Sequence, residues 1–222
     1  MRDALAAALA RDRLTLFGGF DLEPGEDGPD GPTGRPAQSI ALIGNAGGAF
    51  WPEFTAWVER QPDVLADPLD TWSAEVIGRV GETFGARLIM PNERPFPPFQ
   101  QWARRAGGLE ASPLGILIHP EYGLWHAFRG ALAFETPLGF PPVHKPIHLC
   151  DACHGKPCLS ACPVEAFAGP DFAYGRCVAH VKGVRGGACR AGGCLARNAC
   201  PYGLDYRYPA EMQAFIMRAY AR

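Results

Sequence analysis

CDACHGKPCLSACP, residues 150–163, and CVAHVKGVRGGACRAGGCLARNACP, residues 177–201, hold all eight cysteines of a 222-residue chain. The first run reads C-x2-C-x4-C-x3-C-P and the second C-x11-C-x4-C-x5-C-P. Each therefore closes three earlier cysteines with a Cys-Pro pair, at Cys162-Pro163 and Cys200-Pro201. Thiols crowded in this way serve either as disulfides or as metal ligands. The N-terminal stretch MRDALAAALARDRL breaks its apolar run with Arg2, Asp3, Arg11 and Asp12, so neither a secretory leader nor a membrane span is expected there. A cytoplasmic location follows as the expectation, and reduced cytosol does not sustain disulfides.

The choice is then between metals. Eight thiolates could form two tetrahedral zinc sites, but neither the doubled Cys-Pro nor a three-plus-one sharing of ligands is expected of zinc knuckles. Both resemble stretched versions of the bacterial ferredoxin pattern C-x2-C-x2-C-x3-C-P, in which three thiolates bind one cluster and the fourth, before the proline, binds the other. Applied here, that rule assigns Cys150, Cys153, Cys158 and Cys200 to a first [4Fe-4S] cluster. Cys162, Cys177, Cys189 and Cys194 go to a second, and no cysteine is left over. Residues 150–200 carry six Lys/Arg against three acids in a chain of net charge −2, a local excess that suits the negative charge of two thiolate-bound clusters. Glycines at 183, 186, 187, 192 and 193 are expected to let backbone N–H groups approach the cluster sulfurs.

The front of the chain reads as a layer of strands and helices. Strands are expected over 14–20, 39–43, 87–90, 114–118 and 131–134, with helices over 53–59 and 99–106. A longer helix running to Phe84 has Asp67 and Asp70 as cap candidates, an apolar face of Leu69, Trp72, Val76, Val80 and Phe84, and Gly85 as its stop. EPGEDGPDGPTGRPA, residues 23–37, is expected to be an exposed loop. A last helix after Pro209 presents Met212, Phe215, Ile216 and Tyr220. The fold class is α+β: an α/β sandwich-like domain over 1–145, a dicluster ferredoxin-like module over 146–205, and a C-terminal helix over 206–222. Residues 1–149 are mildly acidic and show no basic stripe, so nucleic acid is not an expected partner.

Two further stretches could carry chemistry. Gly44-Asn45-Ala46-Gly47-Gly48 follows a strand and precedes a helix, a placement that can offer amides to a phosphate, although a plain tight turn explains it as well. PLGILIHPEYGLWHAFRG, residues 113–130, packs two histidines, a tyrosine, a tryptophan and an arginine just upstream of the cysteines. Each histidine alone is ordinarily structural. Together they mark a pocket wall, with His119 or His126 as proton donor and Tyr122, Trp125 and Arg129 as cofactor contacts.

From Ala103-Arg104-Arg105-Ala106-Gly107, through an apolar strand and His119-Pro120-Glu121-Tyr122-Gly123-Leu124-Trp125, to the cysteines ending at Cys200-Pro201, the chain resembles the epoxyqueuosine reductases and related cobalamin-dependent iron-sulfur proteins. Arg176-Cys177-Val178 is similar to the isolated fifth cysteine of that family. The resemblance implies a cobalamin-dependent reductase fed by two clusters. It also implies a catalytic acid shortly before the alanine-glycine segment, where Glu93 is the nearest acid at a comparable offset. Family members carry a longer cobalamin-binding front region and a helical extension that helps hold transfer RNA, and neither is matched in this sequence. The first expectation is therefore an electron carrier with two [4Fe-4S] clusters and a redox partner protein. The second is a cobalamin- or flavin-dependent reductase in which Glu93, His119 or His126 gives the proton.

Overall fold

A computed structural model describes residues 1–143 and 148–222. In chain order the elements are α1 (Arg2–Arg11), β1 (Thr15–Asp21), β2 (Ser39–Ala46), α2 (Trp51–Glu59), α3 (Pro68–Phe84), β3 (Arg87–Ile89), α4 (Phe99–Gly107), β4 (Glu110–Ala111), β5 (Leu117–Ile118) and β6 (His126–Phe134). Short helices follow: α5 (Pro157–Ser160), α6 (Tyr174–Lys182), α7 (Gly187–Gly192), α8 (Leu195–Asn198) and the longer α9 (Ala210–Tyr220). The mixture is α+β. No helix among the described residues is long and apolar enough to cross a membrane.

Two compact units divide the chain: Met1–Gly108 with Ala127–Lys145, and Leu109–His126 with Pro146–Arg222. The boundary expected between 145 and 146 lies outside the described residues. Residues 109–126, grouped with the front domain on sequence, pack instead in the second unit, as does the final helix.

The first unit is built on a four-stranded sheet of order β1-β2-β6-β3, with β1/β2 and β3/β6 antiparallel. Strand β2 is buried at every position from Ser39 to Asn45, as a central strand covered on both faces must be. Helix α3 forms because Leu69, Trp72, Val76 and Val80 recur on one face, and all four are buried. Asp67 takes its N-cap position without a side-chain capping bond, and Gly85 ends it in the left-handed conformation. Phe50 stacks on Trp72 at 5.3 Å and joins Trp51 and Phe54 in an aromatic core.

The structure departs from the sequence expectation at four places. Helix α1 buries Leu5 and Leu9 in a stretch read only for the absence of a leader. Strand β6 starts at His126 rather than 131, because its first half pairs within the sheet despite polar side chains. The strand expected over 114–118 shrinks to Leu117–Ile118, since Gly115 takes φ +74° and turns the chain. The loop over 23–37 has little regular structure, yet it is pinned: Thr33 donates its amide (2.7 Å) and hydroxyl (2.8 Å) to the buried Glu135 carboxylate, which Arg35 also meets. Burial pushes the Glu135 carboxyl up, but these donors overcome it and hold the group below the ordinary carboxylate range.

Asn45 decides the glycine-rich stretch. Its amide donates to the Gly47 carbonyl (2.8 Å) and its carbonyl accepts from Arg129 Nε (2.9 Å), so the side chain itself closes the turn. A Cβ on Gly44 would stand 2.0 Å from the Ala127 carbonyl oxygen, whereas one on Gly78, within α3, would meet only Leu88 at 3.7 Å. Gly44→Ala is therefore expected to destabilise the protein by about 1–3 kcal/mol. Gly78→Ala is expected to stabilise it by about 0.4–1 kcal/mol, and urea unfolding midpoints check both.

Candidate functional site

The cysteines stand on short helices and turns of the second unit: Cys158 in α5, Cys177 in α6, Cys189 in α7 and Cys194 at the N-cap of α8. All eight are free thiols. Cys150, Cys158, Cys162 and Cys200 share one buried cluster with Cys177 and Cys194 packed against it, and electrostatic effects link the thiols further. Burial first, and then Cys200, Cys158 and Cys153, push the Cys150 thiol up, and the Cys200 thiol is raised by burial and by Cys158 and Cys153. Burial and then Cys177 and Cys162 raise both Cys189 and Cys194. Cys150, Cys153, Cys158 and Cys200 are thus electrostatic neighbours, as are Cys162, Cys177, Cys189 and Cys194. Among the described residues no group of three or more His, Cys, Asp and Glu is arranged to hold a single metal ion.

Backbone amides turn toward the sulfurs. Ala166 N–H donates to Cys162 Sγ at 3.3 Å. The amides of Leu159, Leu195, Ala196 with Arg197, and Tyr202 favour the ionised form of Cys158, Cys189, Cys194 and Cys200 respectively, against the effect of burial. Such bonds stabilise thiolates over thiols. Two of the glycines named from the sequence also permit close packing. Gly186 lets its backbone lie against His180, where a Cβ would be 2.1 Å from a carbonyl oxygen, and Gly193 at φ +83° leaves room for Gln213. Several basic residues of the segment bind backbone carbonyls: Arg176 reaches Val164 (3.2 Å), Arg190 reaches Gly183 (2.7 Å) and Arg197 reaches Leu124 (3.1 Å). Lys156, Arg190 and Arg197 also act on Cys150 and Cys158, on Cys189, and on Cys200, in each case favouring the ionised sulfur.

A cluster of polar and aromatic side chains lies in the same unit. His119 Nδ1 accepts the amides of Glu121 (3.1 Å) and Tyr122 (3.2 Å), which caps the turn and leaves the imidazole proton to Nε2. The His119 ring stacks on Tyr122 at 4.3 Å and meets His126 edge-on at 5.8 Å. Tyr206 packs on Tyr122 at 4.7 Å and donates its hydroxyl to Glu121 at 2.5 Å. That bond, ahead of burial, pushes the Tyr206 phenol up to about 12. Burial, then His119 and Arg197, push buried His126 down to about 4, and burial lowers His119 as well. Both imidazoles are therefore neutral at pH 7.

Of the other expected site residues, Trp125 is fully buried, edge-on to Tyr208 at 5.4 Å and beneath the Arg197 guanidinium at 4.8 Å. Arg129 lies in the first unit beside Asn45 and over Phe50. Glu93, also in the first unit, has both oxygens engaged: one accepts from Arg87 (2.7 Å) and the other from the Met90 amide (2.8 Å). It stands in the wall of a cavity of about 630 Å³ with Arg94, Phe96, Trp102 and Arg105. Sequence reasoning missed the glycine pair that docks the histidine turn onto the turn after Cys200. Gly123 (φ +55°) would place a Cβ 2.3 Å from the Tyr202 carbonyl oxygen, and Gly203 (φ +69°) one 2.3 Å from that of Tyr122. The signal was present in the matching Tyr-Gly pairs of Pro120-Glu121-Tyr122-Gly123 and Pro201-Tyr202-Gly203.

No protein-family model and no curated protein matches the chain. Solved structures do match. A crystal structure of epoxyqueuosine reductase with an epoxyqueuosine-modified tRNA-Tyr stem loop is similar at TM-score 0.54 and 18% identity, over 96% of this chain and 68% of that one. A selenomethionine-labelled epoxyqueuosine reductase is similar at TM-score 0.50 and 19% identity, over 80% of this chain and 52% of that one. The Bacillus subtilis epoxyqueuosine reductase aligns at TM-score 0.48 and 18% identity, over 78% of this chain and 51% of that one. The chain thus shares the fold of epoxyqueuosine reductases while spanning about half the length of two of these three.

The buried His126 has a consequence for stability. The unfolded chain takes up its proton below the ordinary histidine value of about 6.5, while the folded protein does so only near 4. Stability therefore falls as pH falls from 6.5 toward 4 and levels off below that, by a total on the order of 3 kcal/mol. His126→Asn is expected to flatten this slope, which urea unfolding midpoints at pH 6.5 and pH 5 measure directly.

Proposed function

We propose that this chain is a reductase-type iron-sulfur protein, in which electrons pass singly through two [4Fe-4S] clusters to a reducible group. The observation that carries the reading is the gathering of eight free thiols in one unit, five of them buried, where they raise one another's affinity for the proton. The donor set fits. Buried neighbouring thiols resist ionisation, so four thiolates need a strongly positive core, and iron supplies it. When bound, the clusters would supply one-electron storage, with Cys150, Cys153, Cys158 and Cys200 holding one and Cys162, Cys177, Cys189 and Cys194 the other. Eight free thiols suit a reducing compartment such as the cytoplasm.

Two observations favour a reductase over a simple carrier. The structural likeness to epoxyqueuosine reductase extends over 96% of the chain, so it includes the first unit and not only the cysteine-bearing one. The second unit also holds two neutral imidazoles in line with Tyr122, Glu121 and Tyr206. Neutral His119, with its proton on Nε2, can donate that proton as electrons arrive and recover it from solvent. Cobalamin or flavin is the class of organic cofactor that such a reductase would use for the bond-breaking step. The second reading, a two-cluster carrier serving a redox partner protein, rests on the same thiols and leaves the histidines structural.

Anaerobic purification with iron, sulfide and cobalt analysis separates these readings. About eight irons per chain are expected, with Cys158→Ser and Cys189→Ser each losing one cluster. A wild-type chain without iron, or a variant keeping its full spectrum, would falsify the ligand sets. Stoichiometric binding of added cobalamin or flavin, with turnover lost in His119→Gln while the cluster spectrum persists, is the reductase outcome. Eight irons and no cofactor uptake is the carrier outcome.

A further inference from the structure

Helix α9 carries Tyr220 into the apolar group of Val181, Cys189 and Met217, alongside Cys177, Cys194 and Leu195. Its ring meets Tyr174 edge-on at 5.6 Å. The phenolic oxygen is shut off from water and makes no hydrogen bond of ordinary geometry. A buried hydroxyl left in that state is destabilising. Cys177 packs against the same buried group as Tyr220 and is the thiol that bears most directly on its hydroxyl, ahead of Tyr174 and Cys194. A protonated thiol is a weak acceptor. A thiolate bound to iron is a strong one.

We propose that Tyr220 is the hydrogen-bond donor to the Cys177 sulfur of the second cluster, and that it raises that cluster's reduction potential. The inference rests on the two-cluster reading above. Reduction adds negative charge that spreads onto the ligating sulfurs, and an O–H aimed at one of them stabilises the reduced state more than the oxidised one. Tyr220 is a positioning residue here, acting through Cys177. It also gives α9 a purpose beyond covering apolar surface, since the helix carries the phenol into the group on which Cys177 packs.

The test is an EPR-monitored redox titration of the anaerobically loaded full chain, with iron and sulfide counted in the same samples. Tyr220→Phe is expected to keep about eight irons and to shift one cluster only. Its reduction equilibrium should fall at least threefold, about 28 mV lower at 59 mV per tenfold for a one-electron couple. Tyr174→Phe, which trims a neighbouring ring that is 55% exposed, is expected to leave both potentials unchanged. Unchanged potentials in a fully loaded Tyr220→Phe overturn the donor role and leave the two-cluster reading standing. Equal shifts in the two variants assign the effect to packing and overturn it as well. A wild-type chain that takes up no iron overturns both. If Tyr220→Phe fails to load, 3-fluorotyrosine placed at position 220 takes over. Its more acidic phenol is a stronger donor and must raise the same cluster's potential, and no change overturns the proposal.

Discussion

Like charge confined in a dry volume is the constraint on which the second unit depends. Eight sulfurs lie within a stretch of short helices, most of them buried, and in each set the thiols raise one another's affinity for the proton. Left empty, such a site stays protonated and weakly held together. Filled with iron, it becomes the cross-link of its own fold, because α5, α6, α7 and α8 are each too short to persist alone. The apolar residues around the sulfurs, Leu114, Ile118, Leu124, Ala166 and Ala196 on one side and Val181 and Met217 on the other, keep water from screening these interactions.

Much of this was legible in the order of the cysteines, because ligand spacing is a local property of the chain. The same holds for α3, where a helical apolar face is bounded by Asp67 and Gly85, and for β2, whose Ile40, Ala41, Leu42 and Ile43 form an apolar run. What escaped was non-local. The first half of β6 carries His126, Phe128 and Arg129, and only pairing with its neighbours in the sheet makes a strand of it. The loop over 23–37 is fastened by Glu135, roughly a hundred residues away, through contacts that no local pattern announces. In the cysteine segment the close approaches at Gly186 and Gly193 are likewise non-local or conformational, and the amide that meets a cysteine sulfur in hydrogen-bond geometry belongs to Ala166.

The candidate chemistry outside the cysteines divided along the same line. Grouping His119, Tyr122 and His126 was possible because they sit within eight residues, and the structure does bring their rings together. Their protonation was not readable. Burial lowers both, and for His126 the neighbouring His119 and then Arg197 add to it, the latter also bearing on Cys200. Glu93 was located by offset alone. Its two oxygens are taken by Arg87 and the Met90 amide, so any part it plays in proton transfer begins with breaking a bond that now orders its turn.

The paired glycines at 123 and 203 have a consequence for electron movement. With no side chains between them, the backbone after Cys200 lies directly against the backbone of Tyr122, whose ring stacks on His119. In the two-cluster reading proposed above, an electron leaving the Cys200 sulfur would travel through the bonds of Pro201 and Tyr202 and then across one packed contact to the imidazole turn. Tunnelling falls off steeply across empty space and gently along bonds, so two absent methyl groups would shorten the part of the path where the penalty is greatest. The residues that look least chemical in this unit would thereby fix how well its thiols and its imidazoles communicate.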